Sequence, residues 1–179
     1  MVYIHLAEGF EEIEAVTILD ILRRGQVEAE SVSVTGRHLV QGAHQISIRA
    51  DLTFEEADYD TCAMIVLPGG MPGTTNLGNH QLLLDKIVEF HQEGKLVAAI
   101  CAAPMVLGKA GILKGKRATI YPGMEDKIPE AILGPERVIV DGKVITSKGP
   151  GTAMEFALKL IEILKGEEAS RKVREGLIL

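Results

Sequence analysis

The chain has no tryptophan, four phenylalanines, three tyrosines and two cysteines in 179 residues. With so few aromatics, Leu, Ile, Val and Ala must fill the core. A chain of this length buries about 70% of its unfolded surface, so it needs no disulfide or metal staple. The two thiols, Cys62 and Cys101, form no disulfide framework and fit a reducing compartment. Basic clusters are missing and the formal net charge is −6, which argues against nucleic acid as a partner. No apolar run is long enough to cross a bilayer, and the opening Met1-Val2-Tyr3-Ile4-His5-Leu6 is too short and too uncharged for a secretory signal. A cytoplasmic protein without membrane contact is expected, with one domain over residues 1–179.

Histidine is absent after position 91. His5, His38, His44, His80 and His91 all precede Cys101, so no pairing of that cysteine with a downstream histidine can be built. Their spacing is not that of metal ligands, and neither a metal nor another cofactor is expected. No Gly-Lys-Ser/Thr follows a glycine loop, which excludes a phosphate loop of that kind.

What is present alternates. Val2 to Leu6 reads as a strand, and Glu11 to Arg24 as a helix with an apolar stripe at Ile13, Val16, Leu19 and Leu22. Glu28 to Thr35 alternates as a strand, and Ile46 to Ile48 is a short one. Cys62 to Leu67 is continuously apolar, as in a strand covered on both faces. Leu82 to Glu93 is helical, Leu96 to Ile100 is a strand running into Cys101, and a helical pattern follows at once. Arg117 to Ile120 reads as a strand, Val138 to Thr146 as a hairpin turning at Asp141-Gly142, and Ala153 to Lys165 as a helix, with a short charged helix after it. Strands alternating with helices predict an α/β fold, a mainly parallel sheet with helices on both faces. In such a sheet the site lies at the carboxyl ends of the strands.

Three loops meet that criterion, and they carry the candidate chemistry. A strand, one residue, then a helix places Cys101 on a sharp elbow of the kind that projects nucleophiles. A helix start beside the sulfur would supply N–H groups and a positive dipole end, both favouring a thiolate near neutral pH. Spacing alone leaves open the plainer reading of a small buried filler. Gly69-Gly70 after the buried strand reads as a tight turn, or as half of an oxyanion hole completed by the Ala102 N–H. Glu11, Glu12 and Glu14 suit a helix start. Glu11 and Glu14 share a face, and a carboxyl group in an apolar pocket beside sulfur would have a raised pKa and could shuttle a proton. Cys62, inside an apolar strand, reads as packing.

Four segments together resemble the DJ-1/ThiJ/PfpI superfamily, in particular its DJ-1 branch. They are Ala7-Glu8-Gly9-Phe10-Glu11-Glu12-Ile13-Glu14-Ala15, Val66-Leu67-Pro68-Gly69-Gly70, Ala98-Ala99-Ile100-Cys101-Ala102-Ala103-Pro104 and Thr146-Ser147-Lys148-Gly149-Pro150-Gly151-Thr152. The resemblance implies a flavodoxin-like three-layer sandwich, usually a homodimer, with Cys101 as the reactive cysteine. Glu14 would be the carboxylic acid hydrogen-bonded to it, and the Gly70 and Ala102 N–H groups would be the oxyanion donors. Members are described as glutathione-independent glyoxalases acting on methylglyoxal or glyoxal, as protein deglycases, as chaperones and as oxidative-stress sensors, and some carry a thiamine-related (thiazole monophosphate) name. The implied partner is therefore a small aldehyde or glycated substrate, or, for a sensor, an oxidant.

The sequence also departs from the family pattern. Tyr121 stands where many relatives have a histidine near the cysteine, and a phenol is a poor base at neutral pH. Ala102 stands where the peptidase-like branch has a histidine, which argues against peptidase activity. A class I amidotransferase would need a histidine after Cys101. His44 falls near a register where relatives have an arginine, and could reach a partner subunit's site. Beyond its apolar stripe the first helix carries Ile18 and Ile21, which predict a second buried surface in a dimer.

Overall fold

The computed structural model describes residues 1–179. In chain order the elements are β1 (Val2–Leu6), α1 (Glu12–Arg24), β2 (Ala29–Ser33), β3 (Leu39–Gln41), β4 (Ser47–Arg49), β5 (Leu52–Thr53), β6 (Met64–Leu67), α2 (Gly73–Asn79) and α3 (Gln81–Gln92). They continue with β7 (Leu96–Ile100), α4 (Pro104–Lys109), β8 (Arg117–Ala118), β9 (Ile132–Leu133), β10 (Val138–Asp141), β11 (Val144–Ser147), α5 (Ala153–Lys165) and α6 (Glu167–Gly176). Seven strands form one sheet in the order β10-β11-β7-β6-β1-β2-β5, parallel except for the β10–β11 hairpin. The run β2-β1-β6-β7-β11 is the flavodoxin-like order, whose direction of winding reverses between β1 and β6. The loops after those strands therefore part and leave room for a site.

Two apolar layers hold the sheet. On one face Ile18, Ile21 and Leu22 of α1 and Phe156, Leu160 and Ile161 of α5 pack on Ile4, Val66 and Ala98. On the other, Leu83, Ile87 and Phe90 of α3 and Val106 and Leu107 of α4 pack on Tyr3, Ile65, Val97 and Ala99. Adjacent strand residues feed opposite layers, which is why the central strands read as unbroken apolar runs.

Several sequence expectations are corrected here. On α1 the face turned to the sheet is Ala15, Ile18, Ile21 and Leu22, whereas Ile13 and Val16 are exposed at 58% and 49%. Ile18 and Ile21 are thus intrachain core and cannot form a dimer surface. Cys62 precedes its strand rather than lying in it. The hairpin loop is Gly142-Lys143, one residue later than expected, because Asp141 pairs with Val144. Helix α2 was not anticipated, since its Gly-Thr-Thr-Asn-Leu-Gly-Asn sequence has weak helical preference and no apolar stripe. No helix is long and apolar enough to cross a membrane.

Candidate active site

The loops after β1, β6 and β7 converge, and their backbones are stitched together. The Glu11 N–H donates to the Gly69 carbonyl at 2.9 Å, and the Gly73 N–H donates to that of Gly9 at 3.1 Å. Glu11 caps α1, its Oε1 accepting from the Ile13 N–H at 3.3 Å, and this sets Glu14 in the first turn, pointing under the β6–α2 loop. Glu14 is completely buried, and its Oε2 accepts from the Gly69 N–H at 2.7 Å.

Cys101 sits at φ +63°, a left-handed conformation that costs a non-glycine residue of order 1–3 kcal/mol. One neighbouring strand and the segment after β8 hold it there. Its N–H donates to the Ser147 carbonyl on β11 at 2.9 Å, and its carbonyl accepts from the Tyr121 N–H at 2.8 Å. The elbow expected from the sequence is present. The helix after it, α4, begins only at Pro104 and has six residues, so its dipole end is weak and set back from the sulfur.

Two glycines make the close approach possible. A Cβ on Gly69 would lie 2.6 Å from the Cys101 Cβ and 3.0 Å from Glu14 Oε2. Gly70, at φ +91°, would meet the Gly9 carbonyl oxygen at 2.6 Å. With no side chains in the way, the Gly70 and Ala102 N–H groups come near enough to the sulfur of Cys101 to favour its anion.

The electrostatics correct the expectation of a freely ionised thiol. Burial, then the Glu14 carboxylate beside it, pushes the Cys101 thiol up to about 12, against the pull of the Ala102 and Gly70 N–H groups. Burial likewise pushes the Glu14 carboxyl up to about 7, against the hydrogen bond from the Gly69 N–H. Sulfur and carboxyl are one coupled pair that shares a charge. Beside a carboxylate the thiolate is repelled. Beside a protonated Glu14 that repulsion vanishes, and the carboxyl can donate to sulfur. Glu14 Oε1 is fully buried and has no hydrogen-bond partner. A buried carboxyl oxygen left without a partner favours the protonated carboxyl, the form that does not repel the thiolate. Ionisation of Cys101 is therefore set by burial and then by the charge of Glu14, rather than by a helix end.

The remaining candidates surround this pair. Glu11 is 6% exposed, and its charge adds to the raised pKa of Glu14. Tyr121 is half exposed, with its ring against Gly149, and it meets Cys101 through its backbone. His44 turns to its own chain: Nδ1 lies 2.9 Å from Glu12 Oε2 and 3.3 Å from Glu11 Oε2, which raises its pKa. Glu12 Oε1 accepts from the His44 N–H at 2.7 Å and the Ile46 N–H at 3.4 Å, so Glu12 clasps the loop between β3 and β4. Glu11, Glu12 and His44 bring three possible metal-ligand atoms within 4.8 Å, a grouping their sequence spacing concealed. Ser147 as the anchor of Cys101 was also missed, although it lies in a motif already singled out. Cys62 behaves as expected, buried with its thiol donating to the Met64 carbonyl at 3.2 Å.

The DJ-1/PfpI family profile matches residues 1–163. The chain is 38% identical over 176 residues to protein dj-1beta of Drosophila melanogaster, covering 97% of this chain and 94% of the relative. It is 34% identical over 174 residues to the glutathione-independent glyoxalase DJR-1.2 of Caenorhabditis elegans, covering 96% and 92%. Among solved structures, oxidized Toxoplasma gondii DJ-1 superposes with a TM-score of 0.95 at 39% identity, covering 99% of this chain and 97% of that one.

Proposed function

The chain belongs to the DJ-1/PfpI family, and we propose that it is a cysteine-dependent, glutathione-independent glyoxalase converting a small 2-oxoaldehyde, methylglyoxal or glyoxal, to the 2-hydroxy acid. The observation that carries this reading is the pairing of the Cys101 sulfur with a buried Glu14 carboxyl whose pKa is raised to about 7. A group titrating there is suited to give and take protons at neutral pH. A relative that carries the glyoxalase name supports the reaction class.

In this mechanism the thiolate attacks the aldehyde carbon. A carbon–sulfur bond forms, the carbonyl electron pair moves to oxygen, and Glu14 protonates that oxygen to leave a hemithioacetal. The Gly70 and Ala102 N–H groups stabilise the oxyanion as it develops. The Glu14 carboxylate then takes the proton from the former aldehyde carbon, giving an enediolate, and delivers it to the neighbouring carbon while the hydroxyl proton passes from the first oxygen to the second. The product is a thioester of the 2-hydroxy acid. Water cleaves it, releasing the acid and restoring the thiol, so the sum is oxoaldehyde plus water. Tyr121 can line the site but is not needed as a base. Lactate formation from methylglyoxal tests the proposal. Cys101→Ala is expected to abolish turnover, and full turnover in that variant would end it.

A second reading uses the same sulfur as an oxidation sensor. The orphaned Glu14 Oε1 could hydrogen-bond an oxygen added to Cys101, and one close structural relative is itself described as oxidized. Cys62 lies at the opposite end of the sheet and cannot resolve a sulfenate as a disulfide, so sulfinate is the expected product. Mass spectrometry after mild peroxide should show oxygen on Cys101 and not on Cys62. Equal labelling would exclude a sensor. Assembly as a homodimer is proposed through the exposed Ile13 and Val16 of α1, and light scattering should then show Ile13→Glu as a monomer beside a dimeric wild type.

A further inference from the structure

A cleft of about 420 Å³ lies between α2 and α4 and includes neither Cys101 nor Glu14 among its lining residues. Small-molecule sites typically span about 300–1,000 Å³, so the size suits a ligand of modest length. Its walls differ in character. Met105 is partly exposed and, backed by the buried Val106, Leu113 and Ile128, gives the floor its apolar character. Lys109, Lys114 and Lys127 stand round it against a single carboxylate, Glu130, on a protein whose net charge is −6. The lysines are not equally committed. Lys109 donates to the Gly78 carbonyl at 2.6 Å and so serves the end of α2. Lys114 reaches Glu130 only at 4.0 Å with its side chain 78% exposed, and Lys127 pairs with the exposed Asp126. Exposed pairs of this kind are weak and exchange readily for a better anion.

A second, independent feature points the same way. Thr74 lines the cleft from α2, and its hydroxyl is buried without any hydrogen-bond partner. Native proteins leave few such groups unsatisfied, and a ligand oxygen would satisfy this one. Gly78 on the same wall keeps the cleft open: a Cβ there would find Val106 no nearer than 3.7 Å, so space is available for more than backbone.

We propose that this cleft is a second binding site, separate from the thiol, for a small amphipathic carboxylate whose apolar body lies on Met105 over the floor backed by Val106, Leu113 and Ile128 and whose anionic end meets Lys114 and Lys127. The cleft is walled by the two helices that follow the donor loops of Gly70 and Ala102. Neither wall shares a residue with the thiol–carboxyl pair, so the site stands whether or not the chain turns over oxoaldehydes.

The test is a titration of the full chain with sodium octanoate, followed by calorimetry and by amide chemical shifts. Saturable binding is expected, with shifts concentrated in residues 74–79 and 105–109. Octanol, which lacks the charge, and inorganic phosphate, which lacks the apolar body, should each bind at least about tenfold more weakly. Lys114→Glu, on the surface, should weaken octanoate about tenfold, and Gly78→Leu should abolish binding by filling the cleft. Thr74→Val removes only the hydroxyl and should weaken octanoate without lowering the melting temperature, which keeps the test decisive if Gly78→Leu fails to fold. Octanoate shifts absent from these helices, octanol or phosphate binding as tightly as octanoate, or Lys114→Glu and Thr74→Val both binding like wild type would overturn the proposal.

Discussion

Replacing Glu14 by Gln isolates the shared proton at the centre of the site. Gln keeps the shape, and its amide oxygen still accepts from the Gly69 N–H, but it cannot ionise. In the wild type the carboxyl titrates near 4.5 when unfolded and near 7 when folded. Between those values the native state holds more protons than the unfolded state, so stability falls as pH rises through that window. That gap corresponds to about 3 kcal/mol, fully felt above pH 7 and absent below about 4.5. Urea denaturation of both proteins at pH 4.5 and pH 8 should therefore show Glu14→Gln gaining about 3 kcal/mol on wild type between the two conditions. The same substitution removes the carboxylate that repels the sulfur. The thiol should then titrate well below its wild-type position of about 12, read from the pH dependence of alkylation at Cys101. Methylglyoxal turnover should nevertheless be lost, because an amide cannot carry the proton between carbons. A variant with a more ionised sulfur and no activity would separate nucleophile from proton carrier. Parallel stability–pH curves for the two proteins, with Cys101 alkylation unchanged, would refute the shared-proton account.

Gly70→Ala forces a side chain into a left-handed conformation and against the Gly9 carbonyl, so a loss of about 2 kcal/mol or more in urea denaturation and a collapse of turnover are expected; wild-type stability would mean the loop can move aside. His5 is fully buried with its Nε2 2.7 Å from the Tyr59 hydroxyl, and burial pushes its pKa down to about 3. The unfolded chain therefore binds more protons below 6.5, and this residue costs about 1.4 kcal/mol of stability per pH unit as pH falls from 6.5 towards 3. Between about pH 4.5 and 6.5 that slope opposes the one from Glu14, so wild-type stability should be nearly flat there; His5→Gln should gain stability on acidification, and a flat curve in that variant would contradict the assignment.

Much of the site was legible because its parts are local. A strand ending in Cys101 and then Pro104 writes its own elbow, and Gly69-Gly70 after a buried strand announces a close backbone approach. Helix α1 shows where legibility stops. It is apolar on two opposite sides, and periodicity reports a face without saying which one the chain's own sheet will cover. Of the stripe Ile13, Val16, Leu19 and Leu22, the sheet covers Leu22 and partly Leu19, leaves Ile13 and Val16 exposed, and takes Ile18 and Ile21 into the core instead. Likewise, Glu12 and His44 are far apart in sequence and carry no mutual signal until the loop after β3 folds back onto α1.

The sequence by itself determined the alternation of strands and helices, the loops on which the chemistry falls and the residues that can perform it, because hydrophobic period and turn chemistry act over a few residues. Only the tertiary structure decided the state of the sulfur. Its pKa depends on burial and on a carboxyl delivered by a different helix, and both are long-range quantities. The local helix start argued for an easily ionised thiol; the packed protein ties that ionisation to a proton on Glu14.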